Sequence, residues 1–344
     1  MKRTLFSLAV LALFLAPAAR TSEQESSSSG FFENLALEKE QFFESENNKK
    51  NYLRLLELEK QALQLSDDQP LKLGSIGSAI LDLYPGSQTG HYVMSVFYDH
   101  LDSPDAKKLH KDSLDQIQKI MVEKNNGERD SPYPIMTIND AKTFIKTSSY
   151  NPVGSIYRTT EEIDLGLLVL GRQEQNPLKY WFFELSDVLA ALEPKSVDTE
   201  SQGWPLIREL ANASDSAAQA AIGAYLVNQR KFNSAISWLN VASRRDNLLA
   251  NSLLGRTYWS QSRLAKTDKT RREKLKLAQE NYLHAIALGS TESMFTLASL
   301  YLQNHYDENN EEAALSLLNR AASLNHVESL LYLGQLYNSG AGPV

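Results

Sequence analysis

The chain of 344 residues contains no cysteine. That removes disulfide staples, thiolate nucleophiles, cysteine-ligated zinc, iron–sulfur clusters and an acylated-cysteine lipid anchor from what it can use. Positive charge is in short supply as well. Lys and Arg number 35 against 42 Asp and Glu, and the formal net charge of −7 does not suit a general nucleic-acid binder, which carries a net basic surface. No stretch beyond the N-terminal leader reaches the roughly 18 consecutive apolar residues of a membrane span. Catalytic signatures are missing too: no G-x-S-x-G elbow, no S-x-x-K, no H-E-x-x-H and no phosphate-binding glycine loop occurs. The histidines are scattered, with His91, His100 and His110 nine and ten apart and His284, His305 and His326 twenty-one apart. Without a carboxylate or a close second histidine these are poor metal ligands, and surface or capping roles are expected. The sequence therefore predicts no catalytic residue, no cofactor and no metal.

What is present begins with an address. Lys2 and Arg3 precede Leu5 to Leu15, apolar except for Ser7, and Ala16-Pro17-Ala18 supplies small residues. This is the layout of a secretory signal peptide, residues 1–18, cleaved near Ala18. Eleven helical residues span only about 16 Å, about half a bilayer core, which disfavours a membrane anchor. Loss of Lys2 and Arg3 leaves 33 basic residues against 42 acidic ones, a charge of −9. A cysteine-free exported chain fits a bacterial periplasm or secretion, where free thiols are oxidised. Residues 19–30, with four consecutive serines, read as a flexible linker.

Residues 31–124 form a helical hairpin region. One helix is expected over 31–65, a second from Leu71 to Tyr84 stopped by Pro85-Gly86, a third over His91 to His100, and a fourth from Pro104 to Val122 capped by Ser103. Residues 131–190 then read as a small α+β segment. Strands are expected at Ile135–Ile138, Gly154–Tyr157, Leu165–Leu170 and Tyr180–Leu185, as an antiparallel sheet with one or two helices, the first capped by Asn139-Asp140.

From 205 to 344 the chain is helical and repeats. Alanines stand seven apart at Ala235 and Ala242, Ala278 and Ala285, and Ala314 and Ala321. Thirteen residues after each second alanine comes a small residue, Gly255, Ala298 or Gly334, each preceded by leucine and followed three later by tyrosine; Gly223 takes the same place in a first unit. The interval from small residue to next alanine varies instead: 12, 23 and 16. Fixed packing intervals with one variable interval describe helical hairpins joined by surface loops. The overall fold class expected is mainly α, with a small β-containing middle.

The first unit, GAYLVNQRKFNSAISWLNVASR, resembles a tetratricopeptide repeat. The third and fourth, with small residues 36 apart, resemble the longer Sel-one-like repeat (SLR), and Tyr337 to Val344 looks like that family's Y-x-x-G-x-G-V turn. Alanine in place of glycine at 298, the tyrosine missing from the first unit and the insertion in the second depart from the pattern. The resemblance implies an exported bacterial α-solenoid that holds other proteins, envelope or host, and has no chemistry of its own. The last unit lacks a second helix to cover Leu330, Leu331, Leu333 and Leu336, so either the array continues beyond Val344 or that face docks on a partner or second copy.

Two features stand out as partner contacts. Trp259 with Arg256 and Gln261 is expected on the groove side of a first helix, Trp and Arg being common interface anchors. Arg263 to Lys276, containing Arg271 and Arg272, holds seven basic residues against two acidic ones, and is either a solvated helix extension or a contact for an anionic partner. The acidic run Asp307 to Glu312 lacks calcium-loop spacing and reads as a helix start. An alternative places the function in the middle segment, as an envelope glycan or peptidoglycan binder or modifier using Tyr150, Tyr157, Arg158, Glu161, Glu162, Arg172, Tyr180 and Trp181.

Overall fold

The computed structural model describes residues 28–159, 164–174, 176–193, 203–245, 247–303, 305–306 and 310–338. The leader, most of the linker, Glu161 and Glu162, the acidic run from Asp307 to Asn309 and the closing Gly340–Val344 turn lie outside them. Helix dominates the described residues, with a four-stranded sheet in the middle of the chain. None of the described helices is long and apolar enough to cross a membrane.

The N-terminal helices are α1 (Ser28–Glu44), α2 (Asn48–Leu65), α3 (Leu73–Leu83), α4 (Gln88–His100) and α5 (Pro104–Glu123), with a single 3-10 turn at Pro70–Lys72. Each of α2 to α5 packs on the next. The linker expected to run to residue 30 gives way to helix at Ser28. The single helix expected over 31–65 is broken without proline or glycine. The Ser45 hydroxyl donates to the Phe42 carbonyl and the Asn48 amide to that of Phe43, so polar side chains take up the carbonyls that end α1. Ser103 starts α5 without a side-chain cap, Pro104 at the first position being enough.

The strand expected at Ile135–Ile138 is displaced. Strand β1 is Tyr133–Pro134, and Ile138 opens α6 (Ile138–Thr147). Thr137 is the cap: its backbone is extended and its hydroxyl accepts from the Asp140 amide at 3.1 Å, which puts Asn139 and Asp140 inside the helix. Strands β2 (Asn151–Arg158), β3 (Gly166–Arg172) and β4 (Lys179–Glu184) pair antiparallel, while β1 adds to β4 in parallel, giving a mixed sheet in the order β1-β4-β3-β2. One face packs on α6, where Phe144 meets Phe183. Helix α7 (Ser186–Leu192) follows.

Next come α8 (Trp204–Asn212), α9 (Ser216–Asn228), α10 (Phe232–Ser243), α11 (Leu248–Arg263), α12 (Asp268–Ala287), α13 (Thr291–Leu302), α14 (Glu311–Ser323) and α15 (Val327–Asn338), each from α9 on packed on the one before. The spacing arithmetic maps onto them directly. The small residues fall in α9, α11, α13 and α15, and the six alanines in α10, α12 and α14, all 0% exposed. A Cβ at Gly223 would lie 2.4 Å from Leu239 of α10, and one at Gly255 would lie 2.7 Å from the Tyr282 ring of α12. Glycine is therefore what permits these crossings.

The junctions between helix pairs repeat as well. Ser214, Gly289 and Asn325 have positive φ, and the next residue donates its amide back to the preceding helix, Asp215 to Leu210, Ser290 to Ala285 and His326 to Ala321. That next residue also caps the following helix through its side chain, as does Asn247 at the start of α11. Asp215, Asn247, Ser290 and His326 each stand eight residues before the small residue of their unit. One apolar core runs through the whole arrangement, from Phe42 to Leu333. On α15 Leu333 is buried and Leu336 half-buried, while Leu330 and Leu331 are exposed.

Candidate functional site: a groove between sheet and helices

Strand β2 is an edge strand, and its free edge is secured by the helix caps. The Asn247 side chain donates to the Ser155 carbonyl at 2.8 Å and accepts from the Ser155 amide at 3.4 Å, acting like a one-residue strand while it caps α11. Two residues on, the Tyr157 hydroxyl donates to Asp215 Oδ2 at 3.4 Å, while Oδ1 of the same carboxylate caps α9 by accepting the Ala217 and Ala218 amides. Alternate residues of one strand thus meet the caps of successive first helices. Gly154 permits this approach, since a Cβ there would lie 3.3 Å from the Leu248 backbone. On β3, Arg172 donates to the Ala287 carbonyl at the end of α12. Desolvation pushes the Asp215 carboxyl up, opposed by Lys142 and the capping amides, and pushes the Tyr157 phenol well up.

The sheet face turned away from α6 then stands opposite the helices across a groove of about 860 Å³. Its sheet wall is the cross-strand row Ile156, Leu168 and Phe182, with Arg158 at the end of β2. Its helix wall is the same face of three first helices. Ala221, Leu253 and Thr296 line it, each two residues before the small residue of its unit. Trp204 and Tyr225 form an aromatic shelf with ring centroids 4.9 Å apart. Arg129, Arg158 and Arg256 bring three guanidinium groups, and among the described residues none has a side-chain ion pair or hydrogen bond. Glu292 is the one described carboxylate in the lining, and it already faces His326 Nε2 at 3.3 Å.

The residues expected as partner contacts are distributed unevenly. Arg256 and Trp259 line the groove. Gln261 faces away, donating to Asn233 beside a separate shallow cleft. Arg263 lies over the Trp259 ring at 5.1 Å, which directs its charge onto that ring. Arg271 is paired with Asp268, and with Arg272 it belongs to the start of α12, while Arg263 ends α11 and residues 264–267 join the two helices. Of the residues considered for a site in the middle segment, Tyr157 and Arg158 reach the groove. Tyr150 and Trp181 pack edge to face elsewhere, with Lys179 over both rings.

Sequence spacing missed two clusters. His91 and His110 meet with Nδ1 atoms 3.1 Å apart, and burial with the neighbouring His110 holds His91 down to about 4. Glu59 and Asp140 are both buried, Glu59 accepting the Ser87 and Thr137 hydroxyls and Asp140 the Thr89 amide and hydroxyl. Nineteen residues separate the histidines and eighty-one the carboxylates, so no local pattern marks either pair. Among the described residues no three metal-ligating side chains gather in one place. Comparison with protein-family models, curated proteins and solved structures gives no match.

Proposed function

We propose that this protein is an exported, non-enzymatic scaffold of SLR/tetratricopeptide-like helical repeats, whose groove holds a segment of another polypeptide. The observation that carries the reading is that three consecutive first helices turn the same face toward the sheet across one groove. A wall made by repetition, lined by aliphatic and aromatic side chains with few polar anchors, suits an extended chain better than a reacting group. The repeating junctions, the buried alanines and the glycine crossings support a stacked hairpin array. The leader layout and the absence of cysteine support a periplasmic or secreted location.

Quantitative partner capture tests it. The exported chain and a Trp204→Ala/Tyr225→Ala variant of equal thermal stability are used as bait for envelope and host-cell proteins. A polypeptide retained by the first and lost by the second supports the reading. Equal retention, or none by either, contradicts it. The location is tested by cell fractionation with an N-terminal mass of the exported form, cleavage near Ala18 being expected.

A further inference from the structure

Resting on that reading, we infer that the groove's occupant is an acidic, extended peptide segment whose carboxylates meet Arg129, Arg158 and Arg256. Charge complementarity points to this occupant. The whole chain is acidic, yet this cleft collects three guanidinium groups with no carboxylate partner among the described residues. Its one described lining carboxylate, Glu292, faces a histidine. Arg129, Arg158 and Arg256 are exposed, and guanidinium groups are the side chains best matched to bidentate carboxylate binding.

The placement of the arginines selects the kind of anion. They come from three separate elements: the loop before β1, the end of β2 and the middle of α11. Guanidinium groups from three separate elements lining one groove of about 860 Å³ can meet carboxylates on separate residues of one chain. The same lining includes apolar side chains: Ile156, Leu168 and Phe182 from the sheet, Leu253 and Trp204 from the helices. A lining that combines guanidinium groups with apolar side chains matches a peptide that carries both acidic and aliphatic or aromatic residues. Arg129 and Arg158 lie outside the helices from α8 onward, so the middle segment contributes two of the three charged anchors, one from a loop and one from β2. On the basic stretch from Arg263 to Lys276, by comparison, Arg263 lies over the Trp259 ring and Arg271 is paired with Asp268.

The test uses the mature full chain and two fluorescein-labelled ten-residue peptides, one alternating Glu with Leu and Tyr, the other with Gln in place of every Glu. Fluorescence anisotropy in about 50 mM salt should show the Glu peptide binding at least tenfold more tightly, with the preference shrinking as salt screens the contacts. An Arg158→Gln/Arg256→Gln variant should lose that preference while unfolding at an unchanged temperature. Arg271→Gln/Arg272→Gln should keep it. The inference is overturned if the preference survives in Arg158→Gln/Arg256→Gln, or if an oligogalacturonate displaces the Glu peptide at lower concentration than the unlabelled peptide does. Equal binding of both peptides, lost in Trp204→Ala/Tyr225→Ala, overturns the acidic inference and leaves the polypeptide groove standing. Binding of neither peptide, with no partner captured, removes both.

Discussion

The Asn247 side chain donates to the Ser155 carbonyl and accepts from the Ser155 amide while its oxygen caps α11, so one amide group joins the edge of the sheet to the start of a helix. The Tyr157–Asp215 contact does the same one helix pair earlier. These two contacts, three hydrogen bonds in all, hold the sheet at the distance that makes the groove.

Asn247→Ala should therefore cost more than the loss of a cap. Removing a cap costs about 1 kcal/mol. Leaving the Ser155 groups unpaired adds about 1–3 kcal/mol. Ser290→Ala removes the cap of α13, a side chain that makes no bond to the described residues of the sheet, and serves as the comparison. Urea unfolding of the two variants checks this, with Asn247→Ala expected to be the less stable.

Tyr157→Phe deletes only the hydroxyl that reaches Asp215. A loss of about 1 kcal/mol is expected. In a double-mutant cycle with Asn247→Ala the two losses should be coupled by at least 0.5 kcal/mol or so, because both bonds hold the same strand. Strict additivity would mean that the strand is held elsewhere.

The glycines at the helix crossings should respond oppositely according to their surroundings. Gly255→Ala forces a Cβ toward the Tyr282 ring and should destabilise by about 1–3 kcal/mol. Gly334 has nothing within 4 Å of the corresponding position, so Gly334→Ala should stabilise by up to about 1 kcal/mol through helix propensity. Thermal unfolding of the two variants reads both signs.

The buried ionisable groups predict opposed pH effects. Burial raises Glu59, and raises Asp140 to about 7, so the folded state holds these protons more tightly than the unfolded chain; the associated stability is present at low pH and is lost as pH rises toward 7. His91, held down to about 4, does the reverse: its contribution is present above the unfolded value and is lost as pH falls. Relative to the unaltered chain, Asp140→Asn should grow less stable between pH 7.5 and 5, and His91→Asn should grow more stable. Urea midpoints at the two pH values decide it.

The sequence made the helix pairs legible because alanine and glycine intervals record backbone approach, and approach is fixed by residue size. The mixed sheet was only partly legible. Ile135 to Ile138 has the apolar pattern of a strand, but the Thr137 hydroxyl caps a helix there instead. The groove was half visible. Trp259 and Arg256 carry an interface signature on a helix face, whereas Arg158 reaches the same cleft because β2 docks on Asp215 and Asn247, and Arg129 reaches it from the loop before β1. A local signal for that docking exists in the capping residues eight positions before each small residue, but a cap pattern does not reveal which strand it will hold.

The most direct test of the central claim, that sheet and helices form one groove for one polypeptide, is photo-crosslinking from both walls. A benzoylphenylalanine is placed at Arg158 on the sheet or at Tyr225 on the helices, with Leu109, exposed on α5, as the control position. The account predicts that positions 158 and 225 capture the same polypeptide and position 109 does not. Different partners from the two walls, or capture at 109 alone, would contradict it.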